Sequence, residues 1–144
     1  MTVSARDGYQ VLKALLPPKE RRGVILIDPP FEAPGELERL ADALAEGVRR
    51  FATGVFMLWY PIKDGDQIRA FKRGLAATGL AKLTCLEMMV RAPRDPRLLN
   101  GTGMVILNPP YGLEDAVGLI MPVLCERLAR EGPGGWSFEW LTTK

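Results

Sequence analysis

Val24-Ile25-Leu26-Ile27-Asp28-Pro29-Pro30-Phe31 is the stretch whose reading decides the fold. Four consecutive apolar residues, Val24 to Ile27, predict a strand buried on both faces. The run stops at an acid followed by two prolines and an aromatic ring. Each proline fixes its own φ and lacks an N–H, and Pro30 biases Pro29 away from the helical region. The backbone therefore leaves the strand in a stiff, extended turn, which suits a carboxylate, a free carbonyl and a ring held in fixed relative positions.

Downstream, Pro34, Glu36 and Glu38 mark a helix start, and Leu37, Leu40, Leu44 and Val48 form one apolar stripe. Arg49 and Arg50 suit its last turn by charge. Thr53 to Tyr60 reads as a second buried strand halted at Pro61. Asp64 caps a helix with Ile68, Phe71 and Leu75 inward and Gly79 as its stop. Strand, helix, strand, helix and strand joined by short links predict a parallel α/β sheet. Leu83 to Val90 is the third strand and Met104 to Leu107 the next. The loop from Arg91 to Gly103 contains no helix, so the strands flanking it are expected to be antiparallel neighbours. Residues 113–131 are helical by the stripe Leu113, Val117, Ile120, Leu124 and Leu128, with a kink at Pro122. A turn over 132–135 leads to a half-exposed strand in which Trp136, Phe138 and Trp140 alternate with polar residues. Upstream, Tyr9, Leu12, Leu15 and Leu16 form a short helix ended by Pro17-Pro18.

The 144 residues predict one domain, and 47% hydrophobic content is enough for a core. No apolar run reaches the length of a membrane span and no N-terminal stretch has signal-peptide form. Cys85 and Cys125 lack metal spacing and read as reduced, cytoplasmic thiols. Histidine is absent, which removes His-based acid–base or metal chemistry from this chain. A net charge of +2 is too small to argue for nucleic acid, so any RNA footprint must be local.

An acid-and-carbonyl pair at a strand tip solves one chemical problem. The amine of adenine is a poor nucleophile because its lone pair is delocalised into the ring. If Asp28 and the Pro29 carbonyl each accept one N–H, the nitrogen is drawn toward a tetrahedral shape and its lone pair can point at a methyl donor. Phe31 would stack on the flipped base, worth about 1–3 kcal/mol, and the rest is positioning.

Asp28-Pro29-Pro30-Phe31 resembles motif IV, (Asp/Asn/Ser)-Pro-Pro-(Tyr/Phe/Trp), of the S-adenosylmethionine-dependent amino-methyltransferases. Its surroundings are Arg6-Asp7-Gly8-Tyr9, Arg21-Arg22-Gly23, Phe51-Ala52-Thr53-Gly54, Leu58-Trp59-Tyr60-Pro61, Leu99-Asn100-Gly101-Thr102-Gly103 and Asn108-Pro109-Pro110-Tyr111. In this order they resemble the RlmJ family, bacterial 23S ribosomal RNA (adenine-N6)-methyltransferases, over nearly the whole chain but only the family's C-terminal half. The resemblance implies a Rossmann-like class I methyltransferase sheet, strands 4 to 7 with flanking helices, mostly parallel with an antiparallel strand. Residues 1–144 would then be part of a methyltransferase domain with S-adenosylmethionine as cofactor, 23S ribosomal RNA as partner and a cytoplasmic location, without metal or membrane. Asp28, Pro29 and Phe31 inherit catalytic roles; Asp7, Gly8 and Asp28 inherit cofactor contacts.

Other assignments stay open between two readings. Asp7 is either a cofactor contact or an ordinary helix N-cap. Trp59 and Tyr60, with Pro30, wall the base pocket, or the two strand aromatics belong to the core. Arg94 and Arg97, with Arg91 and Asn100 in the same loop, grip phosphates or are merely solvated. Asn108-Pro109-Pro110-Tyr111 also fits motif IV, but the antiparallel pairing would carry Asn108 to the opposite end of the sheet, roughly 20 Å away. Asn108 is therefore expected to be a structural turn. No glycine-rich turn follows a strand, and no acidic strand end is available for a ribose. The strand 24–27 lacks its expected neighbour, an aggregation hazard. The chain alone is thus expected to be insoluble, associated through the open edge or with a missing N-terminal half, or unable to bind the cofactor. The alternatives are a DNA adenine or protein glutamine methyltransferase, and a non-catalytic remnant acting only as an interaction surface.

Overall fold

In the computed structural model, which describes residues 3–132 and 134–143, β1 (Val24–Ile27) hydrogen-bonds in parallel to β2 (Val55–Ile62). Between them lies α2 (Glu36–Arg50), preceded by α1 (Gly8–Leu15). After β2 come α3 (Gly65–Ala77), β3 (Leu83–Met89), β4 (Gly101–Leu107), α4 (Leu113–Leu128) and β5 (Gly135–Trp140). The sheet order is β1-β2-β4-β3-β5. The α/β class and the antiparallel β3–β4 hairpin agree with expectation.

The expected mostly parallel sheet is corrected. Only β1–β2 is a parallel pair; β2–β4, β3–β4 and β3–β5 are antiparallel. The crossover through α3 does return β3 in the direction of β2, but β4 turns back by the short loop and inserts between them. Nor does Pro61 end β2, since it pairs opposite Thr102. The Ile62 carbonyl accepts from Asn100 N, so residue 62 turns its polar groups toward β4 and residue 61 turns away. On that side β1 has already stopped opposite Leu58, and no ladder donor is needed there.

α2 and α3 cover one face. Leu40, Leu44, Phe71 and Leu75 pack on Phe56, Leu58, Tyr60 and Ile62, the alternate residues of β2. Each fully buried leucine here contributes about 1.5–3 kcal/mol. Asp64 caps α3 by accepting from Asp66 N at 2.8 Å. Gly103, read as part of a loop, lies inside β4.

On the other face α4 buries Val117, Met121 and Cys125 against Leu86, Met88 and Phe138. The expected stripe is corrected beyond Val117: Ile120, Leu124 and Leu128 are exposed. α4 is apolar on two sides, so spacing alone does not select the side that meets the sheet. β1 is corrected as well. Ile25 and Ile27 pack against the core, but Val24 and Leu26 are 67% and 61% exposed, because nothing among the described residues covers that side. The turn over 132–135 includes Pro133, which lies outside the described residues; β5 itself forms as expected, with Trp136 exposed. No helix among the described residues is long and apolar enough to cross a membrane.

Candidate functional site at the strand tips

β1 and β2 end together, Ile27 beside Leu58, so Asp28 leaves the sheet next to Trp59. β4 starts opposite the end of β2, and β3 ends opposite the start of β4. The loop 90–100 therefore reaches the same end of the sheet as Asp28, about 10–15 Å across the strands. Ligands of open α/β sheets bind at such carboxyl ends.

Asp28 is exposed, Pro29 buried and Pro30 exposed, so the turn is anchored by one ring and presents the acid. All three border a cavity of about 820 Å³ whose wall also includes Asp7, Gly8, Tyr9, Glu36 and Arg39. Phe31 takes φ 53, the left-handed region that non-glycine residues rarely enter. Its ring turns from this cavity into an adjoining depression of about 560 Å³, between α2 and α3, lined also by Lys63, Asp64 and Gln67. Phe31 meets Trp59 edge-on, with centroids 5.8 Å apart. The structure thus groups Asp28, Pro29 and Pro30 and sets Phe31 next door; Ala33 and Glu36 border both spaces.

Asp7 caps α1, accepting from Tyr9 N at 2.8 Å and Gln10 N at 3.3 Å, and lies 3.9 Å from Arg39. It is a cap and a cavity wall at once. Nothing lies within 4 Å of where a Cβ on Gly8 would be, so the backbone is open there. Glu36, read only as a helix-start acid, is buried on the cavity wall, where it accepts from the Tyr9 hydroxyl at 2.6 Å and from Arg39 at 3.5 Å. Burial, with Glu36 beside it, raises the Tyr9 phenol above its usual range. The Arg39 guanidinium stands 4.6 Å over the Tyr9 ring. The only sequence signal for this group is the acid at the first position of a helix.

Tyr60 is corrected from pocket wall to core. It is fully buried, its hydroxyl donating to Glu87 at 2.7 Å and lying 2.9 Å from Cys85 Sγ. Lys72 bridges Glu87 at 3.0 Å and Glu139 at 2.7 Å. Cys85, Glu87 and Glu139 thus converge with an ammonium already between the two carboxylates. Trp59 stays half-buried beside Phe31.

In the loop, Arg94 and Arg97 are exposed. Arg97 forms a forked pair with Asp95, at 3.0 Å through Nε and 2.8 Å through the terminal nitrogen, which holds the Asp95 carboxyl below its usual range. Arg91 is mostly buried and faces Glu131 at 3.8 Å. Asn100 is corrected from ligand contact to loop anchor. It is fully buried and donates to the Lys63 and Asp95 carbonyls, each at 2.9 Å. Asn108 stands at the far end, as expected, donating to the Ala52 and Gly54 carbonyls at 2.9 Å each.

An acid-Pro-Pro turn beside a cavity at the tips of β1 and β2 sets the chain in a class, the open α/β sheets, in which ligands bind outside the carboxyl ends of strands. The particular family follows from the sequence. The chain belongs to the RlmJ family, whose model, described as ribosomal RNA large subunit methyltransferase D, RlmJ, matches residues 1–142. It is 44% identical over 142 residues to ribosomal RNA large subunit methyltransferase J of Haemophilus influenzae, covering 99% of this chain and 50% of that one. The Escherichia coli K12 protein of the same name is 40% identical over 139 residues, covering 96% of this chain and 50% of its own length. The crystal structure of protein LPL1258 from Legionella pneumophila superposes with a TM-score of 0.83 at 30% identity, over 93% of this chain and 49% of that one. The chain spans about half the length of the curated relatives it matches.

Proposed function

We propose that this chain carries the amine-orienting part of an S-adenosylmethionine-dependent methyltransferase that modifies the N6 amine of an adenine in 23S ribosomal RNA. The observation that carries the reading is the exposed Asp28 carboxylate on the wall of the cavity, its turn anchored by buried Pro29. Asp28 and the Pro29 carbonyl each accept one N–H of the target amine, which localises the nitrogen lone pair. Phe31, edge-on to Trp59 in the adjoining depression, stacks on the flipped base where that base spans the rim between the two spaces, at Ala33 and Glu36. Alkylation makes the amine far more acidic, and its proton leaves after transfer, with Asp28 as the adjacent acceptor.

The residues present fit one side of the cofactor: Gly8 leaves open backbone at the α1 terminus, and Asp28 borders the same cavity. When bound, the cofactor supplies the electrophilic methyl group. Arg94 and Arg97, exposed at the same end of the sheet, supply phosphate contacts for RNA in a reducing cytoplasm where Cys85 and Cys125 stay free thiols.

The test is a chimera in which this chain replaces the matching half of the Haemophilus influenzae relative. It is incubated with methyl-labelled cofactor and, in parallel reactions, 23S RNA from cells lacking the modification, unmethylated DNA and total protein from the same cells. Label in N6-methyladenine is expected from the wild-type chimera and none from Asp28→Ala, with equal melting temperatures. Incorporation by Asp28→Ala overturns the role of Asp28. Label appearing only in DNA adenine or protein glutamine overturns the substrate.

A further inference from the structure

We infer that Glu36 is a positioning residue: through the Tyr9 hydroxyl it sets the start of α1 against the turn that holds Asp28. The inference rests on the cofactor side of the proposed function. Asp7 and Gly8, at the start of α1, line one part of the larger cavity, and Asp28 and Pro29 line another. Whatever fixes these two segments against each other decides how a methyl donor meets an amine.

α1 itself is held by polar ties to α2. None of its eight residues is buried, although Leu16, just past its end, packs against the core. At the rear, Arg50 donates to the Lys13 carbonyl at 3.1 Å. At the front, the Tyr9 hydroxyl donates to Glu36 Oε1 at 2.6 Å, and the Arg39 guanidinium covers the Tyr9 ring. A hydroxyl-to-carboxylate bond of this length is one of the stronger kinds. The raised Tyr9 phenol keeps its proton throughout the neutral range, so the donor persists.

Glu36 is placed for this duty. It is only 5% exposed, and a carboxylate is buried at a cost unless hydrogen bonds and opposite charge answer it. A negative charge suits the start of a helix, and Glu36 is the first residue of α2. Yet its oxygens are directed to Tyr9 and Arg39, while the N-cap, Gly35, makes no side-chain cap bond. α2 begins directly after the turn that runs from Asp28 to Gly35, so a displaced Glu36 displaces that turn. The same residue borders both the larger cavity and the depression that receives Phe31. With one oxygen on Tyr9 and the other facing Arg39, Glu36 acts through its neighbours rather than on the reacting atoms.

The experiment makes Glu36→Ala, Glu36→Gln and Tyr9→Phe in the full chain and in the Haemophilus influenzae chimera. In the chain, amide exchange of residues 11–16 should quicken about tenfold in Glu36→Ala and Tyr9→Phe, with the β2–β4 ladder unchanged. In the chimera, calorimetric titration with S-adenosylhomocysteine, which has no methyl to give, should show about tenfold weaker binding for both. Glutamine still accepts from the Tyr9 hydroxyl, so Glu36→Gln should stay within about threefold of wild type. The double variant Tyr9→Phe with Glu36→Ala should bind no worse than either alone, because both delete one bond. Arg50→Ala, which unties only the rear of α1, should bind as wild type does. Tyr9→Phe removes no buried acid and keeps the test decisive even where Glu36→Ala unfolds.

Binding by Glu36→Gln as weak as by Glu36→Ala would assign the effect to charge at the helix start and overturn the inference. Wild-type affinity in Tyr9→Phe, additive losses in the double variant, or equal damage from Arg50→Ala would each overturn it too. The titration and the exchange use no RNA, so their failure is separate from any failure of the proposed methyl transfer.

Discussion

Gly103 of β4 lies directly against the ring of Tyr60 on β2: a Cβ at position 103 would sit 2.0 Å from Tyr60 Cζ. The ring cannot move aside, because its hydroxyl is held by Glu87 and Cys85. Gly103→Ala should therefore destabilise the protein by about 1–3 kcal/mol, read as a lowered urea midpoint with an unchanged slope. A midpoint equal to wild type would show that the ring has room to yield.

Burial, with Glu87 adding to it, pushes the Cys85 thiol up to about 12 from an ordinary 9.0. Burial likewise raises Tyr60, with Cys85 and Glu87 contributing. The unfolded chain releases these protons first, so this part of the stability is intact below pH 9 and is lost progressively as pH climbs toward 12. Urea midpoints measured from pH 7 to 10.5 should fall at the alkaline end, and less steeply in Cys85→Ala. At pH 8 a thiol reagent should modify Cys85 only in denaturant.

The two Pro-Pro turns should respond oppositely to loss of their polar residue. Asn108→Ala removes the donor for the Ala52 and Gly54 carbonyls and puts alanine at φ 53, costing about 1–3 kcal/mol of stability. Asp28→Ala, at an exposed tip, should change stability by less than about 0.5 kcal/mol. Thermal melts of the two variants decide the matter. A large loss at residue 28 would make its turn structural.

Asn100→Ala should loosen the loop that carries Arg94 and Arg97, since the lost amide ties that loop to the Lys63 and Asp95 carbonyls. Faster amide exchange confined to residues 90–100, with the β3–β4 ladder unchanged, is the expected signature. If the salt dependence of RNA binding falls with it, the arginines are reading phosphates from an ordered loop.

Elements with one apolar side were readable from sequence. The stripe Leu37, Leu40, Leu44 and Val48 has a single arc to bury, and Trp136, Phe138 and Trp140 alternate without ambiguity. The helix-free loop also forced β3 and β4 into an antiparallel pair. What escaped depends on contacts distant in sequence. Glycine at 103 looks like loop punctuation until Tyr60 is set against it, and α4 is apolar on both sides until the sheet picks one. At the site, the placement of Asp28 on an exposed tip followed from its prolines. The turning of Phe31 away from it did not, because a positive φ at a non-glycine residue has no local signal.

The two ends of the sheet are built for different duties. At the end away from Asp28, Lys82 N donates to the Thr143 carbonyl, Asn108 N to the Lys82 carbonyl, and Leu83 N to Thr142 Oγ1, so three chain segments are laced together. A fluorophore, spin label or surface tether attached at residue 143 would thus ride on the laced end, about 20 Å from the acid by the length of a seven-residue strand. Immobilised in that way, the molecule would present the Asp28 rim outward, clear of the surface that holds it.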